Sequence, residues 1–190
     1  GGVNLSGADL SGANLSRTSL SGVDLSGVDL SGADLSGADL SGADLTGAIW
    51  SGYYIRGGVN LSGADLSGAN LQYANLAATT LSGADLSNAN LQDVIIDSAD
   101  LSGADLTGAN LQYAYLHLVN FSGANLSGAD LSNANLENAF MLNANLSGAN
   151  LQYANLSGAD LSNANLEDAD IRNTLLDKQF VKDTSTPNCG

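Results

Sequence analysis

From Leu5 onward a large apolar residue returns every five positions, and this period constrains the fold of the chain more than any other feature. The series runs Leu10, Leu15, Leu20 and onward to Trp50 and Ile55, slips by one residue at Arg56-Gly57-Gly58, and resumes at Leu61 to run through Leu176. Ile96, Phe121, Met141 and Ile171 are variants within it. There are 11 centres before the slip and 24 after it, 35 in all. Two residues before each centre stands a small residue, usually Ala; between them sits Asp or Asn; Ser-Gly or a relative follows, so the unit reads A(D/N)LSG. Five residues suit neither regular element. A helix would rotate successive Leu residues by about 140°, and a strand would flip them to opposite faces. Within one unit, however, Ala and Leu are two apart, so a locally extended stretch points both inward and the Asp or Asn outward. Ser-Gly then turns the chain, because Gly tolerates unusual φ and Ser bonds to nearby backbone. A coil that turns after every unit and closes on itself stacks its units into a solenoid around a Leu column.

Departures from the consensus give the number of units per coil. Gln72, Gln92, Gln112 and Gln152 follow their centres at steps of 20, 20 and 40, and Tyr73, Tyr113 and Tyr153 recur at 40. Twenty residues make four units per coil. The 35 units then give roughly nine turns of about 4.8 Å, a rod of some 40 Å. Gly1 to Leu15 is identical to Gly57 to Leu71 at an offset of 56, which reads as a duplication of eleven units plus one inserted residue. That residue is expected to form a bulge or a small loop.

The recurrence of A(D/N)LSG from Val3 to about Leu176 closely resembles the pentapeptide-repeat family, whose pattern is A(D/N)LxX. The resemblance implies an all-β fold, a right-handed quadrilateral β-helix with four faces. One domain of β-helix is expected over residues 1–176, with a cap and tail over 177–190. Leu175, Leu176 and Phe180 have the spacing of a short amphipathic helix that would cover the last coil, and Asp183 to Gly190 reads as a loose tail. Family members often pair end to end, so the alternative for Phe180 and Val181 is a homodimer contact at the C-terminal end. The first coil would expose its Leu5 layer, so missing upstream residues or a second chain must cover it. Residue 1 already lies inside the repeat without an initiator Met, which points to a removed N-terminus.

Composition excludes several functions. With 20 acidic and 5 basic side chains the net charge is −15, which opposes direct nucleic-acid binding, because affinity for phosphate comes from Lys and Arg. Cys189 is the only cysteine and His117 the only histidine, so disulfide frameworks, multi-cysteine zinc sites and His-paired nucleophiles are unsupported. Serines occupy turn positions, SGADLSG lacks the Lys of a phosphate loop, and a rod filled with Leu offers no pocket. No catalytic residue, cofactor or metal is expected. No run approaches a membrane span, so a soluble chain is expected, with the cytoplasm the favoured compartment.

Two surfaces are candidates for function. One face carries Asp24, Asp44, Asp65, Asp85 and Asp105 in successive coils, with Asn4, Asn125, Asn145 and Asn165 completing the column. This ladder reads either as a solubilising surface or as an imitation of the phosphate line of duplex DNA. The resemblance bears on the choice, since some pentapeptide-repeat proteins bind DNA gyrase as DNA mimics and protect it from quinolones. Those relatives are richer in Phe at the centre, where this chain has only Phe121. The opposite face breaks the consensus most often, and Tyr54, Ile95, Tyr115, His117, Leu118, Phe140 and Leu142 form a candidate patch for another protein. The Tyr73, Tyr113, Tyr153 series reads as a structural ladder. The function expected is that of a non-enzymatic interaction or structural scaffold. The alternatives are a DNA-mimicking regulator of gyrase or another topoisomerase, and a consensus-designed repeat with no natural ligand. The resemblance also suggests bacteria, cyanobacteria especially.

Overall fold

The computed structural model describes residues 3–50 and 59–176. The chain winds as a β-helix in which each five-residue unit contributes one parallel bridge to the unit in the next coil. Four ladders of bridges result. The first face runs Asn4, Asp24, Asp44, Asp65, Asp85, Asp105, Asn125, Asn145 and Asn165. The second runs Asp9, Asp29, Ile49, Asn70, Asn90, Asn110, Asp130, Asn150 and Asp170. The third joins Asn14 to Asp34 and then Asn75, Ile95, Tyr115, Asn135, Asn155 and Leu175. The fourth runs Ser19, Asp39, Asn60, Thr80, Asp100, Asn120, Phe140 and Asp160. Each step is 20 residues except where Asp39, Asp44 and Ile49 meet Asn60, Asp65 and Asn70 at 21. The inserted residue is therefore absorbed between Trp50 and Val59 with the ladders in register on both sides. The expected cap, tail and dimer contact over 177–190 lie outside the described residues, as does Tyr54.

The five letters of the unit follow from where its backbone N–H groups go. The Leu N–H donates to the Asp or Asn carbonyl of the next coil, as Leu86 does to Asp105 at 2.6 Å. The Gly N–H donates to the next coil's Ser carbonyl, as Gly83 does to Ser102 at 2.9 Å, and the Asp N–H returns to the preceding coil's Ala, as Asp85 does to Ala64 at 2.9 Å. The Ala N–H closes the turn on the Leu three residues earlier, as Ala84 does to Leu81 at 3.0 Å. That leaves the Ser N–H, which donates to the side chain of its own unit's Asp or Asn; Ser87 reaches Asp85 Oδ1 at 2.9 Å. Asp and Asn recur at this position because each offers a short acceptor two residues before an otherwise unpaired donor.

The residue after Ser has φ near +60°, as at Gly83 (64°) and Gly103 (64°). With the Leu-to-Ala bond across it, this defines a type II turn, which requires positive φ at its third residue. Gly fits without strain, and Asn88, Asn133, Asn138, Asn143, Asn163 and Asn173 are the tolerated substitutes. Tyr73, Tyr113, Leu118 and Tyr153 hold the same conformation with larger side chains, and Ala78 without a polar group to support it, at a cost of order 1 kcal/mol each.

Inside the rod the Leu centres and the Ala before them are buried from Leu25 to Leu161, most with no exposure at all. Each buried Leu contributes roughly 1.5 to 3 kcal/mol relative to an exposed one. Trp50 takes a Leu position, and its indole N–H is buried without a hydrogen-bond partner among the described residues. Among the described residues no helix is long and apolar enough to cross a membrane.

The turns predict the acid response. At Asp9, Asp24, Asp39, Asp65 and Asp160 the Ser hydroxyl two residues on, and then its N–H, hold the carboxyl below its ordinary value of 3.8. A depressed pKa in the folded state contributes stability that is complete above the unfolded value and is lost as pH falls through the folded one. Thermal melts followed by far-UV circular dichroism are expected to hold steady from pH 7 to about 5 and to fall progressively below about pH 4. A melting temperature unchanged at pH 2.5 would remove the turn carboxylates from the account of stability.

Candidate interaction surfaces

The acidic ladder lies on the first face as the sequence spacing predicts, with Asp24, Asp44, Asp65, Asp85 and Asp105 in consecutive bridges. Strand spacing puts neighbouring rungs about 4.8 Å apart. The remaining rungs differ from these five in a way that matters. Asn125 donates its side-chain amide to Asp105 Oδ1 at 3.3 Å, Asn145 to Asn125 at 3.0 Å, and Asn165 to Asn145 at 3.1 Å. An Asn rung thus accepts the turn N–H through its oxygen and ties itself to the preceding coil through its nitrogen. An Asp rung does only the first and meets another carboxylate above or below. At the start of the ladder, Asn4 donates to Asp24 Oδ2 at 2.8 Å. The Ser26 and Ser67 hydroxyls hold the carboxyls of Asp24 and Asp65 below their ordinary value, so these two rungs are charged at neutral pH.

The third face is the counterpart. From Asn75 to Leu175 its outward ladder contains no carboxylate, in a chain of net charge −15. Ile95 and Tyr115 are adjacent rungs there, and Tyr115 is 54% exposed. His117 and Leu118 occupy the turn that leads from Tyr115 to the fourth face, Leu118 in the positive-φ position and exposed. Phe140 stands on the fourth face one coil further along, bridged to Asn120, and Leu142 follows it in the next turn. Both are exposed. The structure therefore arranges six of the seven predicted residues as a band that starts on the third face and wraps onto the fourth.

The rungs Ile95, Tyr115 and Phe140 also lack the acceptor that Asp or Asn supplies to the turn. Behind Tyr115 the deficit is met from the neighbouring coil, where Asp97 Oδ1 takes the His117 N–H at 3.2 Å. Ile49, on the second face, is a further exposed apolar rung that the sequence reading did not single out; its signal was the same missing Asp or Asn.

The tyrosine series behaves differently from the ladder expected of it. Tyr73, Tyr113 and Tyr153 all occupy the positive-φ turn position on the edge between the second and third faces. Forty residues is two coils, and the intervening coils place Asp93 and Asn133 in that position, so the rings do not stack rung on rung. The accompanying Gln side chains turn to the second face, where Gln112 and Gln152 donate to Asp130 and Asp170, both at 2.5 Å. Among the described residues no group of three or more His, Cys, Asp or Glu is placed to hold a metal ion.

Four ladders of five-residue units around a Leu column define the class, a repeat solenoid. Pentapeptide-repeat models match in eight copies, over residues 1–37, 13–52, 58–97, 99–138 and 141–177. The chain belongs to the pentapeptide-repeat family. Among solved structures it is similar to a trypsin-treated form of QnrB1, a plasmid-mediated fluoroquinolone resistance protein. The identity is 25% over 88% of each chain, with a TM-score of 0.55. It is also 31% identical to HetL, a pentapeptide repeat protein involved in heterocyst differentiation regulation in the cyanobacterium Nostoc sp. strain PCC 7120. That match covers 92% of this chain and 89% of HetL, with a TM-score of 0.33. No curated protein sequence matches the chain.

Proposed function

We propose that the protein is a non-enzymatic interaction module that binds another protein through the band formed by Ile95, Tyr115, His117, Leu118, Phe140 and Leu142. The observation that carries this reading is the outward ladder of the third face. Its six rungs from Asn75 to Leu175 hold no carboxylate, a longer such run than on any other face among the described residues, and it exposes a tyrosine and neighbouring apolar groups instead. Contiguous exposed apolar surface rimmed by polar residues is the usual mark of a protein contact. The apolar rungs also forgo the turn acceptor without gaining burial, a departure that stability does not explain.

The test replaces Ile95, Tyr115 and Phe140 together by Asp, the residue that the repeat itself favours at those rungs, so the fold should be retained. Affinity capture from the source cell, quantified by mass spectrometry, is expected to retain a specific protein on the parent and lose it at least tenfold on the variant. Equal capture by both would remove the patch from consideration.

A second reading is favoured by two observations together, the run of five consecutive Asp rungs and the likeness to a fluoroquinolone resistance protein across 88% of both chains. In it the first face stands in for the phosphate line of DNA on a topoisomerase. Inhibition of DNA gyrase supercoiling by the parent, abolished in Asp44→Asn/Asp65→Asn/Asp85→Asn, would support it. Supercoiling untouched at tens of micromolar would reject it.

A further inference from the structure

We infer that the tyrosine edge between the second and third faces is a docking row for a proline-rich, basic segment of a partner protein in the polyproline II conformation. This inference rests on the reading of the chain as a protein-interaction module and names a partner chemistry for it. Backbone bonds fix the row's geometry. The Tyr73 N–H donates to Gln92 at 3.1 Å, the Asp93 N–H to Gln112 at 2.9 Å, the Tyr113 N–H to Ser132 at 3.1 Å, and the Asn133 N–H to Gln152 at 2.9 Å. The turns are thus stacked coil on coil, and the tyrosines recur on every second one. Two strand spacings put them roughly 9.6 Å apart. A polyproline II helix has three residues per turn and a rise of 3.1 Å, so it presents the same side to a surface about every 9.3 Å. A proline at every third position therefore meets three successive tyrosines with a mismatch of only a few tenths of an ångström per interval.

The chemistry agrees with the spacing. Aromatic rows recognise polyproline II segments, which arrive preformed and with unpaired carbonyls that tyrosine hydroxyls can satisfy. All three side chains are exposed, from 44% at Tyr73 to 60% at Tyr153. Each sits at φ near +60°, in a position where the repeat otherwise favours Gly, so the row is held against local conformational preference and without compensating burial. Asp93 lies between Tyr73 and Tyr113 on the same edge. With a net charge of −15, the surface selects for Arg or Lys between the prolines and repels stacked single-stranded nucleic acid.

The test titrates the full chain with a fluorescently labelled peptide of three Pro-Pro-Arg repeats, read by anisotropy, against a peptide of three Gly-Ser-Arg repeats with the same charge. The proline peptide is expected to bind at least tenfold more tightly. Tyr73→Gly/Tyr113→Gly/Tyr153→Gly should erase that difference. This variant restores the residue best suited to the turn, so it is expected to melt no lower than the parent, and loss of binding then reports the row alone. Equal affinity for the two peptides, unchanged affinity in the variant, or capture of cellohexaose in place of the proline peptide would overturn the proposal. If the proline peptide ignores the tyrosines while the Ile95, Tyr115 and Phe140 variant still loses its cellular partner, the interaction module stands and only the row falls.

Discussion

Leu106→Ala is expected to lower the free energy of unfolding by about 2–5 kcal/mol, the range for a large-to-small change in a closed core. Leu106 has no exposed surface, and its equivalents one coil away on either side, Leu86 and Leu126, are equally enclosed. Every coil is clamped to its neighbours by backbone bonds at fixed spacing, so the walls cannot collapse into the vacated volume and the cavity stays open. For a chain of this length the change corresponds to a fall of roughly 4–20 °C in melting temperature. Leu5→Ala removes the same atoms from a half-buried position in the first described coil and should cost much less. Urea unfolding of both variants checks the contrast. Equal losses would mean that the column is not the cooperative core, since stability in a stacked array is carried by contacts between neighbouring repeats.

The triple variant Asp44→Asn/Asp65→Asn/Asp85→Asn is expected to move stability in the opposite direction. Each new amide gains the donor role seen at Asn125, Asn145 and Asn165, and each removes like-charge contacts along the ladder. Cross-strand pairs of this kind are worth roughly 0.2–1 kcal/mol and a net hydrogen bond about 1 kcal/mol. A net gain of at most about 3 kcal/mol from the three new bonds is therefore expected, because at Asp65 the charge that the Ser67 hydroxyl favours is lost; it is largest at low ionic strength. Thermal melts at two salt concentrations measure it, and a variant less stable than the parent would refute the account of the rungs. The outcome also bears on function. If the fold would be sturdier with Asn, five consecutive Asp rungs are maintained at a cost, and the gyrase assay with the same variant tests whether that cost serves a topoisomerase.

Much of this architecture was legible in the residues. The recurrence of Leu at five excluded helix and strand together, and the twenty-residue echo of Gln and Tyr placed four units in each coil, so the bridging partners of Asp24, Ile95 and Tyr115 could be written down from the spacing. Other features could not, because they depend on where single N–H groups point. The Asp or Asn at each rung reads in the sequence as an outward polar residue, yet it is the acceptor that completes the turn. Likewise the forty-residue step of Tyr73, Tyr113 and Tyr153 puts two coils between successive rings, but it does not show that each ring stands at the positive-φ position of a turn. The absence of carboxylates from the third face's outward ladder beyond Asn75 is visible only once residues 20 apart are gathered into columns and compared with the other three.

The duplicated segment has a consequence of its own. Asn4 belongs to the first ladder, while its copy Asn60 belongs to the fourth; Asp9 lies on the second and its copy Asp65 on the first. Eleven units are one short of three full coils, so the second copy is displayed a quarter turn around the axis from the original. The core does not register this, because any unit can occupy any side of the square, whereas a partner reading one side meets a different text. Gain or loss of a single pentapeptide in such a chain acts like turning a dial: it leaves the scaffold unaltered and reassigns every downstream residue to a new face.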